Sequence, residues 1–219
     1  MYDLSKNLKV LYDDNTQVVI MAYPSRQIFT ISPADFSAVS QMSIGRTAPA
    51  NARDGYVYVR GSHEKLARIL LGSPHGLEID HINNDITDNR RENLRIVTHQ
   101  QNQINQPRQK NNTSGYIGVS YCANRHAWDA RLTIDGITVL LGRYRHKRHA
   151  AFARYIAEEL LYGDYACRSV PRISHGPIRI MRDVIKRCKT YASHSLNPGF
   201  ASRPSIRYWV SQFVHKYSE

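Results

Sequence analysis

Short segments of apolar residues, several with alternating apolar and polar positions, predict the strands in the first quarter of the chain. Residues 17–22 form an apolar run typical of a buried strand, and residues 27–31 predict a second strand. Residues 56–60 alternate with a period of two and predict a third. Together with the helix predicted next, these strands make residues 1–62 a small mixed segment without evident chemistry of its own.

Two short helices are predicted beside these strands. Ser32 before Pro33 favours a helix start, because Ser is a good N-cap and Pro fits the first helical turn. Ser62 is the expected cap of a second apolar helix over residues 65–71, which ends at Gly72.

Residues 77–106 predict a strand, a polar loop, a second strand and a helix. The strands are 77–82 and 94–97, and the loop between them shows neither strand nor helix periodicity. Thr98 and Gln101 have the spacing of a capping box, so the helix begins there and ends near Pro107.

A third block, residues 114–163, predicts three strands and one helix. The strands are 115–121, 127–134 and 138–142, with a hairpin turn at Asp135 and Gly136. The helix covers 147–162, and Gly163 is its expected C-cap. Residues 107–113 predict a linker, and residues 164–219 a basic tail with helices over 178–191 and 206–217.

Positive charge is concentrated in the second half of the chain. Residues 1–106 contain 11 Lys and Arg against 11 Asp and Glu, whereas residues 107–219 contain 19 against 7. This asymmetry favours a partner with many negative charges that meets the second half, although a basic surface that only improves solubility is the alternative.

Composition excludes several classes of protein. The chain has three cysteines without a CxxC pair, so neither a zinc ribbon nor a disulfide framework is expected. It shows no apolar run of about eighteen residues and no secretory signal, so we expect a cytoplasmic location and no membrane partner.

Four residues of the strand–loop–strand–helix block carry the chemistry: Asp80, His81, Asn93 and Asn102. A carboxylate and an amide oxygen are hard ligands suited to Mg²⁺. A neutral imidazole beside the metal can take a proton from water near pH 7. These groups together suffice for hydrolysis of a phosphodiester bond.

The same residues identify a resemblance to phage and intron-encoded HNH endonucleases, carried by Glu78-Ile-Asp-His-Ile-Asn-Asn-Asp85 and the segment through Asn102. The resemblance covers about residues 56–106. It implies a ββα-metal fold with Asp80 and Asn102 as metal ligands and His81 as general base. It also implies that Asn93 holds the loop and orients the base. The cofactor would be Mg²⁺, with Mn²⁺ as a substitute, and there would be no small-molecule cofactor.

The sequence departs from these relatives in one element. They often carry His-Arg-Leu before the motif, where this chain has Ala67-Arg68-Ile69. A calcium loop is the other interpretation of the Asn- and Asp-rich segment. It fails because its first position, His81, is not acidic and Ile86 replaces the required glycine.

Residues 114–163 resemble the DNA-binding domain of plant ethylene-response factors, through Ser114-Gly-Tyr-Ile-Gly-Val119, Trp128–Ile134 and Leu141-Gly-Arg-Tyr144. That resemblance implies a sheet laid in the major groove, with a helix behind it. Strand alternation directs Trp128 towards the helix and Arg131 and Thr133 away from it.

The sequence thus predicts an α+β fold with a ββα-metal nuclease core over residues 63–106, a three-stranded antiparallel sheet plus helix over 114–163, and a helical basic tail. The predicted function is a homing-type HNH endonuclease acting on double-stranded DNA in a bacterial or phage-infected cell. A DNA-binding regulator that does not cleave and an RNA-binding splicing helper are the alternatives. The side chains expected to contact DNA, or else only solvent, are Arg90, Arg91, Arg95, Arg125, Arg131, Thr133, Arg143, Arg145, Lys147 and Arg148.

Overall fold

The computed structural model describes residues 7–44, 54–62, 64–72, 74–134, 136–167 and 176–196. The chain divides into two compact units, Met1–Gln103 and Ile104–Glu219. The predicted N-terminal segment and the predicted nuclease block therefore belong to one unit. The division into five parts remains a prediction.

A four-stranded sheet forms the base of the first unit. Its strands lie in the order β1-β2-β3-β5, with β1 to β3 antiparallel and β5 parallel to β3. The strands are β1 Leu8–Asp13, β2 Val18–Ala22, β3 Gln27–Ile31 and β5 Asp88–Asn89. One face buries Ile20, Phe29 and Ile31 almost completely, which makes this sheet the core of the unit.

Two predictions in this region are wrong. Residues 56–60 form no strand, because this segment pairs only through isolated bridges between Ile44 and Val59 and between Tyr58 and Lys65. Ser62 does not cap the second helix: its hydroxyl bonds the backbone of Val59 and Glu64 instead.

The two predicted helices of this unit are observed, but the Ser32 side chain makes no cap hydrogen bond and its Oγ accepts from Arg91 N–H instead. A 3-10 turn, Pro33–Asp35, follows Ser32 and leads into α1, Phe36–Ser40. The second helix, α2, is Leu66–Leu71 and ends at left-handed Gly72.

The strand–loop–strand–helix block folds as two antiparallel strands and a helix. These are β4 Glu78–His81, β6 Leu94–Val97 and α3 His99–Ile104. The capping box is confirmed, because Thr98 N–H donates to Gln101 Oε1 and Gln101 N–H donates to Thr98 Oγ1. The loop is more ordered than predicted, since it contains β5 and a 3-10 turn at Arg91–Asn93.

The second unit contains a three-stranded antiparallel sheet with a helix on one face. Its elements are β7 Val119–Cys122, β8 Ala127–Ile134, β9 Ile137–Tyr144 and α4 Lys147–Leu161. Ala130, Leu132 and Ile134 of β8 are buried in the core shared with α4, as the strand alternation predicted. Asp135 lies outside the described residues. The C-cap of α4 is Tyr162 rather than the predicted Gly163, which follows it with a positive φ.

The first predicted tail helix covers the core of the second unit. Helix α5, Ile178–Cys188, buries Ile180, Met181, Val184 and Ile185 and is followed by a 3-10 turn over Lys189–His194. The predicted helix over residues 206–217 lies outside the described residues.

Candidate active site

The pairing of β4 with β6 sets the positions of the first two predicted site residues. Asp80 lies opposite Arg95, and His81 lies opposite Leu94. Both Asp80 and His81 are buried. Helix α3 follows β6 directly, so the strand pair and the helix form one small ββα unit that carries Asp80, His81 and Asn102.

Asp80 is held by an ion pair across the two strands. Arg95 Nε donates to Asp80 Oδ2 at 2.8 Å, and Arg95 Nη2 lies 2.6 Å from the same oxygen. Burying a carboxylate without such a partner would be costly, so the ion pair compensates for the burial of Asp80.

Asn102 is bound to a residue to which the sequence assigned no role. Its Nδ2 donates to Glu78 Oε2 at 2.5 Å, while Glu78 Oε1 is 2.7 Å from His99 Nδ1. The hydrogen bonds from Asn102 and His99 lower the pKa of Glu78. Glu78 and Asp80 share one face of β4, since they are two residues apart. Glu78 thus shares a strand face with one predicted metal ligand, Asp80, and is hydrogen-bonded to the other, Asn102.

His81 has a defined tautomer. Its Nε2 lies 3.3 Å from Asn89 Oδ1, and Asn89 Nδ2 donates to the Thr87 carbonyl, which fixes the orientation of the amide. Because an amide oxygen only accepts, Nε2 carries the proton and Nδ1 is the basic nitrogen. Burial lowers the pKa of His81, which keeps the ring neutral, and therefore able to accept a proton, at neutral pH.

Asn93 ties the loop together at its base. It is buried, its Oδ1 accepts from Asn83 N–H at 3.0 Å, and its Nδ2 donates to the Asp88 carbonyl at 2.8 Å. This arrangement fits the role of holding the loop. The side chain in contact with His81 Nε2 is Asn89, which the sequence interpretation missed because it read residues 83–93 as an unstructured loop.

Tyr56 and Lys65 also reach this site, from outside the ββα unit. The Tyr56 ring centroid is 5.9 Å from that of His81, and Lys65 Nζ is 3.4 Å from the Tyr56 centroid. Their positions depend on the bridge between Tyr58 and Lys65. No local sequence pattern could have indicated this contact.

The donor chemistry of the site fits a hard divalent cation. Asp80 offers a carboxylate, and Asn102, whose amide nitrogen is bonded to Glu78, offers its amide oxygen. Within the described ranges, no group of three or more His, Cys, Asp and Glu side chains is arranged to hold a metal. The expected pair of protein ligands, one of them an Asn, would leave the remaining positions to water and substrate.

The three arginines predicted to contact DNA from this block are all in ion pairs. Arg90 pairs with Asp88 and Glu92, Arg91 with Asp35, and Arg95 with Asp80. These pairs give each guanidinium a structural role, and phosphate contact by them remains a prediction.

In the second unit, the predicted contact residues lie on the sheet face opposite α4. Arg131 and Thr133 are exposed on β8, and Arg143 is exposed on β9. Both arginines pair with the buried Asp129, at 2.9 and 3.3 Å. The other predicted contacts are exposed outside the β-strands, namely Arg125, Arg145, Lys147 and Arg148.

Comparison with known proteins agrees with the geometry of the first unit. Residues 63–104 match the HNH endonuclease family. The chain is also 30% identical to Protein 3.8 of Escherichia phage T7 over 94 residues, which cover 37% of this chain and 78% of the phage protein. In the described part of the chain, no helix is long and apolar enough to cross a membrane.

Proposed function

Because this chain contains an HNH endonuclease domain and belongs to the same family as Protein 3.8 of phage T7, we propose that it is a metal-dependent, site-specific, homing-type endonuclease. Its substrate is double-stranded DNA, whose phosphodiester bonds it hydrolyses in the cytoplasm of a bacterial or phage-infected cell. The observation that supports the proposal is the ββα unit, which contains Asp80 and His81 on its first strand and Asn102 on its helix.

Asp80 and Asn102 would hold one Mg²⁺, which Mn²⁺ can replace. When bound, the ion supplies a Lewis acid that stabilises negative charge on the phosphate and on the leaving oxygen. Glu78 positions Asn102: by accepting from its amide nitrogen, Glu78 leaves the amide oxygen of Asn102 as the atom that would bind the cation.

His81 acts as the general base. Its Nδ1 takes a proton from the attacking water, whose oxygen forms a bond to phosphorus while the ester P–O bond breaks. The leaving oxygen takes a proton from solvent. The imidazolium that forms is stabilised by the hydrogen bond from Nε2 to Asn89, and Asn93 holds the loop that carries Asn89.

Recognition of the DNA site falls to the second unit, whose sheet we propose to be similar to the ethylene-response-factor domain. Arg131, Thr133 and Arg143 on its exposed face would meet base edges in the major groove. The phosphate contacts would come from Arg125, Arg145, Lys147 and Arg148.

A selection with an inactive variant tests this function and identifies the target duplex in the same experiment. His81→Ala in EDTA is used to isolate bound duplexes from a random library, and the wild-type protein is then given the selected duplex with Mg²⁺. We expect the variant to bind the duplex as tightly as the wild type does, and only the wild type to cleave it.

The proposal would be contradicted if the wild type bound the selected duplex tightly but did not cleave it with Mg²⁺ or Mn²⁺. That result would favour a regulator that binds DNA without cleaving it. The buried Ala67, at a position where relatives often have His, is the feature that supports this second candidate.

A further inference from the structure

Lys65 is a half-buried cation that lies against Tyr56, the aromatic neighbour of the proposed catalytic base His81. Its ammonium lies 3.4 Å from the Tyr56 ring centroid, and that ring is 5.9 Å from the His81 ring. Burial lowers the pKa of Lys65, and the fields of Asp54 and Glu78 act in the opposite direction. The positive charge of Lys65 in turn contributes to lowering the pKa of both His81 and Glu78.

The surroundings of Lys65 hold the ammonium in place without neutralising it. Within the described residues, no carboxylate lies within ion-pair distance of its Nζ. An aromatic face attracts a cation through its quadrupole and removes none of its charge. The N–H donors of the ammonium therefore remain available to an anion that enters the site.

The substrate of the proposed reaction supplies such an anion. A phosphodiester carries one negative charge, and further charge develops on its oxygens as water attacks phosphorus. A compact ammonium is suited to binding phosphate as a point charge.

We propose that Lys65 is a catalytic residue that contacts a non-bridging oxygen of the scissile phosphodiester and stabilises the charge that develops there. Tyr56 is the positioning residue that holds the ammonium beside His81. This inference rests on the nuclease function proposed above. Lys65 forms no covalent bond in the reaction, and it adds to the metal ligands and the base a third contribution, a fixed positive charge.

The test compares Lys65→Met, Lys65→Arg and the control Lys9→Met on the selected duplex. Methionine keeps an apolar stem over the Tyr56 ring and removes the charge, whereas arginine keeps the charge. Lys9 is an exposed lysine on β1, at the far edge of the sheet from β5. We expect a single-turnover rate about 10²-fold lower for Lys65→Met, which is the usual effect of losing one donor to a developing oxyanion. Lys65→Arg should recover part of this loss, and Lys9→Met should cleave at the wild-type rate.

Two further measurements separate a catalytic from a structural role. Mn²⁺ affinity, measured by electron paramagnetic resonance without DNA, and the melting temperature should both be unchanged in Lys65→Met. Wild-type rates for Lys65→Met, or loss of Mn²⁺ binding and of thermal stability together with the rate, would overturn the assignment. Absence of cleavage by the wild type itself would instead overturn the proposed nuclease function.

Discussion

Each buried polar side chain of the candidate site is held by a neighbour in the same unit. Asp80 has Arg95, His81 has Asn89, and Asn93 bridges two backbone groups of its loop. Since an unpaired buried polar group costs about 1–3 kcal/mol, these partners explain how the chain tolerates so many polar groups there.

The burial of His81 predicts a pH dependence of stability. Its folded pKa is lowered, so the unfolded protein takes up a proton that the folded protein resists. His81 therefore reduces the free energy of unfolding as the pH falls below about 6.5, the ordinary pKa of histidine. We expect the stability of the wild type relative to His81→Gln to decrease between pH 7.5 and 5.5.

Urea unfolding in EDTA at several pH values measures this difference. The exposed His75 provides the matched control, because His75→Gln should follow the wild type at every pH. A constant difference between the wild type and His81→Gln would show that His81 titrates as it does in the unfolded chain.

The sequence indicated Asp80, His81, Asn93 and Asn102 as candidate site residues, and their roles remain predictions. Glu78, Asn89 and Lys65 were not indicated, because their roles follow from contacts that only the folded chain creates. Lys65 reaches the site through a single bridge to Tyr58, and Asn89 reaches His81 through the two-residue strand β5.

At the scale of elements, strong local signals gave the right boundaries for some strands, whereas β7 begins at Val119 and not at residue 115 as predicted. Strands β3, β6 and β8 were predicted to the residue, and the capping box placed the start of α3. Elements that depend on long-range pairing were not predicted. Strand β5 forms through its pairing with β3. Strand β1 was not predicted because only Leu8 of its six residues is buried, so its sequence shows no alternation of apolar and polar positions.

Gly118, just before β7, is a position where the backbone of the second unit excludes a side chain. Its φ is +66°, and a Cβ there would lie well inside contact distance of the Arg131 carbonyl oxygen. Gly136 has a similar φ of +76° with open space around it. Gly136→Ala should therefore lower the free energy of unfolding only by the penalty of a left-handed backbone at a residue with a Cβ, about 1–2 kcal/mol.

Gly118→Ala should lower the free energy of unfolding by more than Gly136→Ala, because the carbonyl must move as well. Thermal unfolding of the two variants beside the wild type measures the difference. Equal losses would contradict the close approach of the two backbones.

At the scale of the whole molecule, the two units differ in net charge. Met1–Gln103 has 11 basic and 11 acidic residues, whereas Ile104–Glu219 has 19 and 7. Helix α5 shows how the second unit combines packing with charge. Its apolar side is buried in the core, and Arg179, Arg182 and Lys186 remain exposed. The helix therefore both covers the core and presents a basic face.

This asymmetry predicts a steep salt dependence that arises in the second unit. Each phosphate neutralised adds about 0.9 to the slope of log K against log salt. Replacing Arg179, Arg182 and Lys186 with Gln should thus reduce the slope by up to about 3 if all three meet phosphates.

Fluorescence anisotropy with duplex DNA between low and moderate salt measures this slope. Replacing the exposed Lys9, Arg26 and Arg60 of the first unit with Gln removes the same charge and should leave the slope unchanged. An equal effect of the two triple variants would show that only net charge matters.

The most direct test of the central claim is conversion of supercoiled plasmid to open-circle or linear DNA at low salt, with Mg²⁺, Mn²⁺ or EDTA. It compares the wild type, His81→Ala and the control His75→Ala. We predict metal-dependent conversion by the wild type and by His75→Ala, and none by His81→Ala. Conversion in EDTA, or an undiminished rate for His81→Ala, would contradict a metal-dependent nuclease with His81 as its base.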